Sequence, residues 1–285
     1  MKVFVAADME GVTGVAVGGH LMAGGHDYER ARVWFTDDVN AAVEGAVAAG
    51  AQEVWVNDGH ATMTNLLVDR LHEAARLVVG PARSVNKPLI QVTGIDHDVF
   101  DACIMVGFHS RAGTPRGLLS HTWVGRLVHE IRLQGRPAGE VLLNAAIVGH
   151  YDVPVVLVTG ADDLGREVKA DLGDDLAFVE VKKTLGPTCV ATLVPKRAQA
   201  MIRAAAETAV RDRSKRKPLH IDGPVRIEVD FHHRDMANRA AEAGDCARDD
   251  DDRRLIYAAN DVPTAVRALW RGFEMALRED AAFLK

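Results

Sequence analysis

The segment VFVAADMEGVTG, residues Val3 to Gly14, decides the fold because it joins a buried strand to a pair of acidic side chains. Its apolar run, Val3–Ala7, predicts a strand that helices cover on both faces. Asp8 and Glu10 follow two residues apart, so on an extended backbone they point to the same side. Neighbouring carboxylates repel each other unless a cation lies between them. The alternative interpretation is a solvated pair of loop carboxylates.

Apolar runs of the same kind recur along the first half of the chain. They predict strands at Glu53–Asn57, Ala102–Gly107 and Val153–Thr159. Longer Ala-rich segments separate them, and the clearest predicts a helix from about Tyr28 to Ala49. This alternation is typical of βαβ units. The predicted fold class is therefore α/β, with a mostly parallel sheet flanked by helices.

Further along the chain, the sequence predicts a hairpin and a helix within the α/β part, and then a smaller α+β unit in the last ninety residues. The turn-rich stretch LQGRPAG predicts a hairpin tip, after which Glu140 opens a helix. The elements predicted beyond it are a helix from Pro195 to about Arg213, strands at Val225–Phe231 and Leu255–Ala259, and a closing helix from Pro263 to Glu279. We therefore predict a catalytic α/β domain over residues 1–194 and a smaller α+β domain over residues 195–285.

Composition narrows the class of partner. The 285 residues are 48% hydrophobic and 26% charged, which is ordinary for a globular protein. With 34 basic and 40 acidic residues the formal charge is −6, which disfavours nucleic acid and anionic membranes and favours a small substrate. Three widely spaced cysteines argue against a disulfide framework. No export signal or membrane-spanning segment is predicted, so we expect a cytoplasmic protein.

Two histidines follow two of the predicted strands. His60 ends the stretch EVWVNDGH, and His109 ends ACIMVGFH. Because ligands of open α/β sheets bind at the carboxyl ends of the strands, Asp8, Glu10, His60 and His109 are predicted to meet there. A single histidine after a strand is more often a hydrogen-bonded loop residue than a ligand. As a set, carboxylates and imidazoles without cysteine suit Zn²⁺, Mn²⁺ or Co²⁺, and zinc is the first choice.

The sequence resembles the D-aminopeptidases of the DppA type, a family of dinuclear zinc peptidases, through most of its length. The order of the shared motifs makes the resemblance specific, whereas each motif alone is weak. The motifs are DMEG at residues 8–11, YERAR at 28–32, VNDGH at 56–60, GFHSRAGTP at 107–115, SHT at 120–122, GEVLLNA at 139–145 and GHYDVPVVLVTGADD at 149–163.

The resemblance implies a function and a set of site residues. It implies two zinc ions per chain bridged by Asp8, with Glu10 and Glu140 completing one site and His60 and His109 the other. It makes His121 the catalytic residue, close to the metals without being a ligand. The implied activity is removal of an N-terminal residue of D configuration from short peptides or amides by a water activated between two metals. The implied assembly is a homo-oligomer, a decamer with enclosed active sites.

One position departs from the family pattern, because Arg116 stands between Pro115 and Gly117 where the family has Gly directly after Thr-Pro. A cation there could pair with a peptide carboxylate, or it could point to solvent. Two rival functions stay open at this point. One is a two-metal phosphoesterase, because the same ligands can clamp a phosphate. The other is a catalytically silent protein of the same fold that binds peptides and keeps its metals.

Several other sequence features are candidates for a functional role. Asp58, with Asn57 and Asn144, is a candidate to orient the metal ligands by hydrogen bonds. The pair His232-His233 and the acidic run at residues 249–252 are more typical of solvated surface than of metal sites. Cys103 lies within an apolar run, which predicts a core position.

Overall fold

The computed structural model describes residues 1–278. Its strands form one seven-stranded sheet and one five-stranded sheet. In chain order the strands are β1 (Lys2–Ala7), β2 (Glu53–Asp58), β3 (Ala75–Val78), β4 (Ala102–Phe108), β5 (Val128–Leu133), β6 (Arg136–Pro137), β7 (Val155–Ala161), β8 (Ala177–Gly186), β9 (Cys189–Thr192), β10 (Val225–Phe231), β11 (Ala247–Arg248) and β12 (Arg254–Ala259).

The seven-stranded sheet has the order β3-β2-β1-β4-β7-β8-β9. Its neighbouring strands pair in parallel, except that β9 runs antiparallel to β8 at the edge. β1 lies near the centre, between β2 and β4, and all of its residues from Val3 to Ala7 are fully buried. The fold-class prediction of a mostly parallel sheet is confirmed.

The helices within the described residues are α1 (Tyr28–Ala48), α2 (Glu140–His150), α3 (Asp162–Leu172), α4 (Pro195–Arg211), α5 (Arg234–Ala241) and α6 (Val262–Ala276). Helices α1 to α4 pack on the seven-stranded sheet, whereas α5 and α6 pack on the five-stranded sheet. Alternate residues of β1 enter two separate cores: Val3 and Val5 pack with α1 and α4, whereas Phe4 packs with α2 and α6. Burial on both faces explains why this strand is continuously apolar instead of alternating.

The five-stranded sheet is antiparallel, in the order β11-β12-β10-β5-β6. Its central strand β10 pairs with β12 on one side and with β5 on the other, so residues 128–137 and residues 225–259 share one sheet. Helix α4 packs along α1 on the first sheet. Elements on both sides of residue 195 are thus interleaved, and the division into residues 1–194 and 195–285 stays a prediction.

Most predicted elements are present with small shifts at their ends. The long early helix ends at Ala48, the hairpin turns at Gln134-Gly135, and Glu140 is the first residue of α2. The helix that begins at Pro195 ends at Arg211. The closing helix spans Val262–Ala276, and its predicted end at Glu279 lies outside the described residues. The sequence did not predict β3, β8, β9, β11, α3 and α5.

Candidate metal centre

The carboxyl ends of three adjacent parallel strands meet at one edge of the first sheet, as predicted. Asp8 follows the last residue of β1, His60 lies two residues beyond β2, and His109 follows β4 directly. Glu10 belongs to the loop after β1, and Glu140 begins α2. All five side chains are buried, with at most 5% of their surface exposed.

The loop after β1 must pass very close to β4. The Gly11 N–H donates to the Gly107 carbonyl at 2.7 Å, and a Cβ at Gly11 would lie 1.9 Å from the Phe108 carbonyl oxygen. Gly107 itself has a φ of 74°, a left-handed conformation that favours glycine. The glycine of DMEG is therefore required for Glu10 to approach the end of the neighbouring strand.

Two groups of ligand atoms share Asp8. In the first group, His60 Nδ1 lies 3.4 Å from Asp8 Oδ1 and 3.0 Å from Glu10 Oε2. In the second, His109 Nε2 lies 3.4 Å from Asp8 Oδ2 and 3.4 Å from Glu140 Oε1. Each group could hold one metal ion. Asp8 thus presents one carboxylate oxygen to each group, which is the geometry of a bridging ligand.

This grouping differs from the pairing that the family resemblance implied. The resemblance put Glu10 with Glu140 and His60 with His109, whereas the structure places one glutamate and one histidine in each group with Asp8. Each position then has a similar donor set of carboxylates and one imidazole, and the negative charge is divided between the two.

His121 approaches the same atoms from the loop after β4. Its Nε2 lies 4.0 Å from Glu10 Oε1 and 3.9 Å from Glu140 Oε1, and its ring stacks on that of His109 with centroids 4.1 Å apart. Its side chain is 27% exposed, unlike the buried imidazoles of His60 and His109. It also forms a third possible ligand group with Glu10 and His109.

The three imidazoles are oriented in the same way. His60 Nε2, His109 Nδ1 and His121 Nδ1 each lie 2.9 Å from a backbone carbonyl oxygen, those of Leu21, Ser110 and Leu119 respectively. A nitrogen that donates its proton to a carbonyl leaves the other ring nitrogen unprotonated in the neutral imidazole. That other nitrogen faces the carboxylates in every case, so all three rings present a lone pair to the centre.

Burying three carboxylates together perturbs their ionisation. Burial and the charge of Glu10 raise the pKa of Asp8 to about 7. Burial also opposes ionisation of Glu10, but the neighbouring His60 outweighs it and holds the pKa of Glu10 well below its usual range. In return, Glu10 outweighs burial and raises the pKa of His60, as Glu140 does for His109. Without a metal ion, protonated imidazoles balance the charge of the carboxylates, and a bound cation would take their place and leave the rings neutral.

Metal ions fit this donor set. Asp8 Oδ2, Glu10 Oε2 and His109 Nε2 are buried and have no hydrogen-bond partner among residues 1–278. Buried polar atoms are normally paired, and unpaired ligand atoms that converge from several segments are the expected signature of a cation site. Oxygen and imidazole nitrogen ligands without a thiolate suit zinc.

Gln91, which sequence reasoning missed, supports Glu140. Its Nε2 donates to Glu140 Oε2 at 2.5 Å, and its Oε1 accepts from Asn144 Nδ2 at 2.7 Å and from Trp123 Nε1 at 3.2 Å. The Trp123 backbone N–H donates to the other oxygen, Glu140 Oε1, at 2.6 Å. Both oxygens of this carboxylate are therefore held in fixed positions. No sequence motif marks Gln91, which lies in the short turn Ile90–Val92.

Lys182, on β8, is a second residue that the sequence did not reveal. It is fully buried, and its Nζ donates to the carbonyls of Glu10, Val12 and Val15 at 2.6, 2.8 and 2.6 Å. Burial lowers its pKa to about 7. The three carbonyls match the three donors of the ammonium group, so Lys182 fixes the loop that carries Glu10.

The candidate orienting residues act mainly through the backbone. Asp58 accepts from the backbone N–H groups of His60 at 3.3 Å and Leu66 at 2.7 Å, and so shapes the loop after β2 without contacting an imidazole. Arg116 is exposed and donates to the Leu185 carbonyl at 3.0 Å, away from the ligand cluster. Despite this additional residue, His121 reaches the centre.

A cavity of about 580 Å³ opens beside the ligand cluster. Asp8, Glu10, His60, His121 and Glu140 form one wall. The other walls come from Gly18, Leu21, Met22 and Gly59 and from residues 61–63, 81–83, 90–91 and 123–126, together with Trp270 and Leu277. The volume suits a small ligand.

A mostly parallel α/β sheet with paired carboxylate and imidazole groups at its strand ends, open to a cavity, is characteristic of hydrolases that use two metal ions. The comparison with known families identifies this class more closely. A family model described as D-aminopeptidase matches residues 1–271. The chain belongs to the D-aminopeptidase family.

Individual relatives agree with this assignment. The chain is 33% identical over 279 residues to a D-aminopeptidase of Bacillus subtilis (strain 168), covering 98% of both chains. Among solved structures it resembles the Zn-dependent D-aminopeptidase DppA from Bacillus subtilis, described as a self-compartmentalizing protease. That match has a TM-score of 0.92 and 31% identity, and it covers 99% of this chain and 100% of the other.

Proposed function

We propose that this chain is a zinc-dependent aminopeptidase that removes an N-terminal D-amino acid from short peptides or amides. The observation that carries the proposal is that Asp8 presents its two oxygens to two different buried ligand groups. Membership of the D-aminopeptidase family supports peptide bonds over phosphate esters as the target. The phosphoesterase and the catalytically silent binding protein are not favoured.

In this proposal Asp8, Glu10, His60, His109 and Glu140 hold two zinc ions. When bound, such a pair lowers the pKa of water and polarises a carbonyl group. The role of the protein is to fix the ligands: each histidine is locked in one tautomer by a backbone carbonyl, and Glu140 is held at both oxygens.

His121 is the proposed catalytic residue. Its Nδ1–H is directed to the Leu119 carbonyl, so Nε2 is available to accept a proton on the cavity side. A peptide bond in the cavity would lie beside both this nitrogen and the carboxylate cluster. We assign two successive steps to His121: its Nε2 accepts a proton from the attacking water and then donates it to the departing amine. A partly exposed imidazole can do both from one position.

Assembly and location are also proposals. We propose a homo-oligomer, a decamer, because the DppA structure that this chain matches is described as a self-compartmentalizing protease. Light scattering during size-exclusion chromatography tests it, and the mass of a monomer or dimer would refute it. Cys103, Cys189 and Cys246 are all free thiols, which supports a cytoplasmic location. No helix within residues 1–278 is long and apolar enough to span a membrane.

The function is tested by elemental analysis of the purified protein together with hydrolysis of D-Ala-D-Ala, L-Ala-L-Ala and an aryl phosphate. We expect two zinc ions per chain and release of alanine from the D-peptide only. Turnover of the phosphate alone would replace the proposal with a phosphoesterase. Two ions without any turnover would indicate a binding protein, and a preparation that holds no metal would refute the proposed centre.

A further inference from the structure

The cavity has an asymmetric charge outside the metal centre. Apart from the candidate ligands and His121, its charged lining residues are Arg83 and Arg126, and no acidic residue accompanies them. The chain as a whole has more acidic than basic residues, with a net charge of −6. Two cations and no anion on these walls therefore contrast with the average composition of the protein.

Neither arginine has an ion-pair partner within the described part of the chain. Both are exposed, and no carboxylate of residues 1–278 lies within ion-pair distance of either guanidinium. Many other arginines of this protein form ion pairs, such as Arg254 with Asp230. An unpaired guanidinium beside a cavity has all of its donors available for a ligand.

The segment that carries Arg83 is nevertheless anchored. Ser84, the next residue, donates from its backbone N–H and its hydroxyl to the two oxygens of Glu274 on α6, at 2.8 and 2.7 Å. The Arg83 carbonyl accepts from the N–H groups of Asn86 and Lys87, both at 2.9 Å. The backbone at Arg83 is therefore fixed at the cavity wall while its side chain stays unpaired.

The segment that carries Arg126 is connected to the metal centre. Its turn is closed by the N–H groups of Leu127 and Val128, which donate to the Val124 carbonyl at 2.8 and 3.0 Å. Trp123, at the start of this turn, donates its backbone N–H to Glu140. The position of Arg126 is thereby set relative to a proposed zinc ligand.

We propose that Arg83 and Arg126 form a subsite for the C-terminal carboxylate of a short peptide, so that the enzyme selects substrates with a free carboxyl end. This inference rests on the proposed function. An aminopeptidase holds the first peptide bond of its substrate at the metal centre, and the carboxylate of a dipeptide or tripeptide then lies a few residues away, at about 3.3–3.6 Å per residue. Guanidinium groups bind carboxylates with paired hydrogen bonds.

The subsite replaces the role that the sequence suggested for Arg116. The Arg116 guanidinium donates a hydrogen bond to the Leu185 carbonyl and does not line the cavity. Arg83 and Arg126 lie on the walls of the cavity that contains the ligand cluster. A neutral peptide amide would find no complementary charge there and would leave both cations without a partner.

The test compares three substrates of the zinc-containing protein: D-Ala-D-Ala, its C-terminal amide, and D-alanine p-nitroanilide, which has no carboxylate. The variants are Arg83→Gln, Arg126→Gln and the double variant, with Arg116→Gln as matched control. We expect kcat/KM for D-Ala-D-Ala to fall about 10- to 100-fold in the double variant, mainly through KM, as for loss of charge-assisted hydrogen bonds. The amide and the anilide should be unaffected, and Arg116→Gln should behave as wild type.

The outcomes separate this inference from the proposed function. If the wild-type protein hydrolyses the anilide, the proposed function stands. If the double variant then still prefers D-Ala-D-Ala over its amide as strongly as wild type does, the carboxylate subsite alone is overturned. If Arg116→Gln loses the preference for the free carboxylate, the subsite at Arg83 and Arg126 is overturned in favour of one formed by the loop that carries Arg116. Wild type without turnover of any of the three substrates would overturn the proposed function and this subsite with it.

Discussion

Replacing Gln91 by leucine should weaken zinc binding although Gln91 is not a proposed ligand. The change removes the hydrogen bond to Glu140 Oε2 and leaves the donors Asn144 Nδ2 and Trp123 Nε1 without their acceptor. A buried donor without a partner costs about 1–3 kcal/mol. Because Trp123 is partly exposed and can bind water, we expect a total loss of about 2–4 kcal/mol in the free energy of unfolding of the metal-free protein.

The effect on the metal is expected to exceed what this destabilisation explains. Loss of a residue that orients a ligand typically lowers metal affinity about 10- to 100-fold. Asn57→Leu is the control, because Asn57 Nδ2 donates to the carbonyls of Ile90 and Thr93 and so supports the same segment without contacting Glu140. Zinc affinity is measured by competition with a chelator, and stability by urea unfolding.

The comparison between these two variants decides the role of Gln91. We expect the control to lose stability and keep the zinc affinity of wild type. Equal weakening of zinc binding in both variants would show that Gln91 acts only through the stability of its segment. Wild-type affinity in Gln91→Leu would refute the reasoning altogether.

Three other changes probe the centre and its supports. His121→Ala should keep two zinc ions and lower kcat by about 10²–10⁴-fold, and loss of an ion in elemental analysis would instead make His121 a ligand. Gly11→Ala should lower stability by about 1–3 kcal/mol or more and reduce zinc content, because its Cβ would collide with the Phe108 carbonyl; an unchanged melting temperature would contradict this. Burial raises the pKa of Asp38 from 3.8 to about 6, so the folded state binds an additional proton between these values and stability falls as pH rises through them. Asp38→Asn should therefore stabilise the metal-free protein by up to about 3 kcal/mol more at pH 7 than at pH 4, and an equal effect at both pH values in urea unfolding would count against it.

The strand-end ligands were predictable because a local pattern and a general rule suffice for them. Asp8, His60 and His109 each follow an apolar run, and parallel strands bring their carboxyl ends to one edge. Glu140 and His121 follow no such rule, because Glu140 begins α2 and His121 lies in the loop after β4, which has no periodicity. Their assignment depended on the family resemblance, and the structure then brought them to the cluster.

Long-range pairing explains what the sequence did not reveal. The hairpin of β5 and β6 was recognised locally, but nothing in its residues indicates that β5 pairs with β10, roughly a hundred residues later. The predicted domain division separates these two strands. Gln91 and Lys182 were missed for the same reason, because their importance lies in partners that are 49 and 172 residues away, at Glu140 and Glu10.

The cavity is lined by parts of the chain that are far apart in sequence. The proposed ligands and His121 all lie within the first 140 residues, whereas Trp270 and Leu277 contribute to the wall from the end of the described chain. Mutations in the late segment can therefore change which side chains fit the cavity while the reaction centre stays intact. In evolutionary terms, this wall is where members of the family can diverge in substrate preference and still inherit the same chemistry.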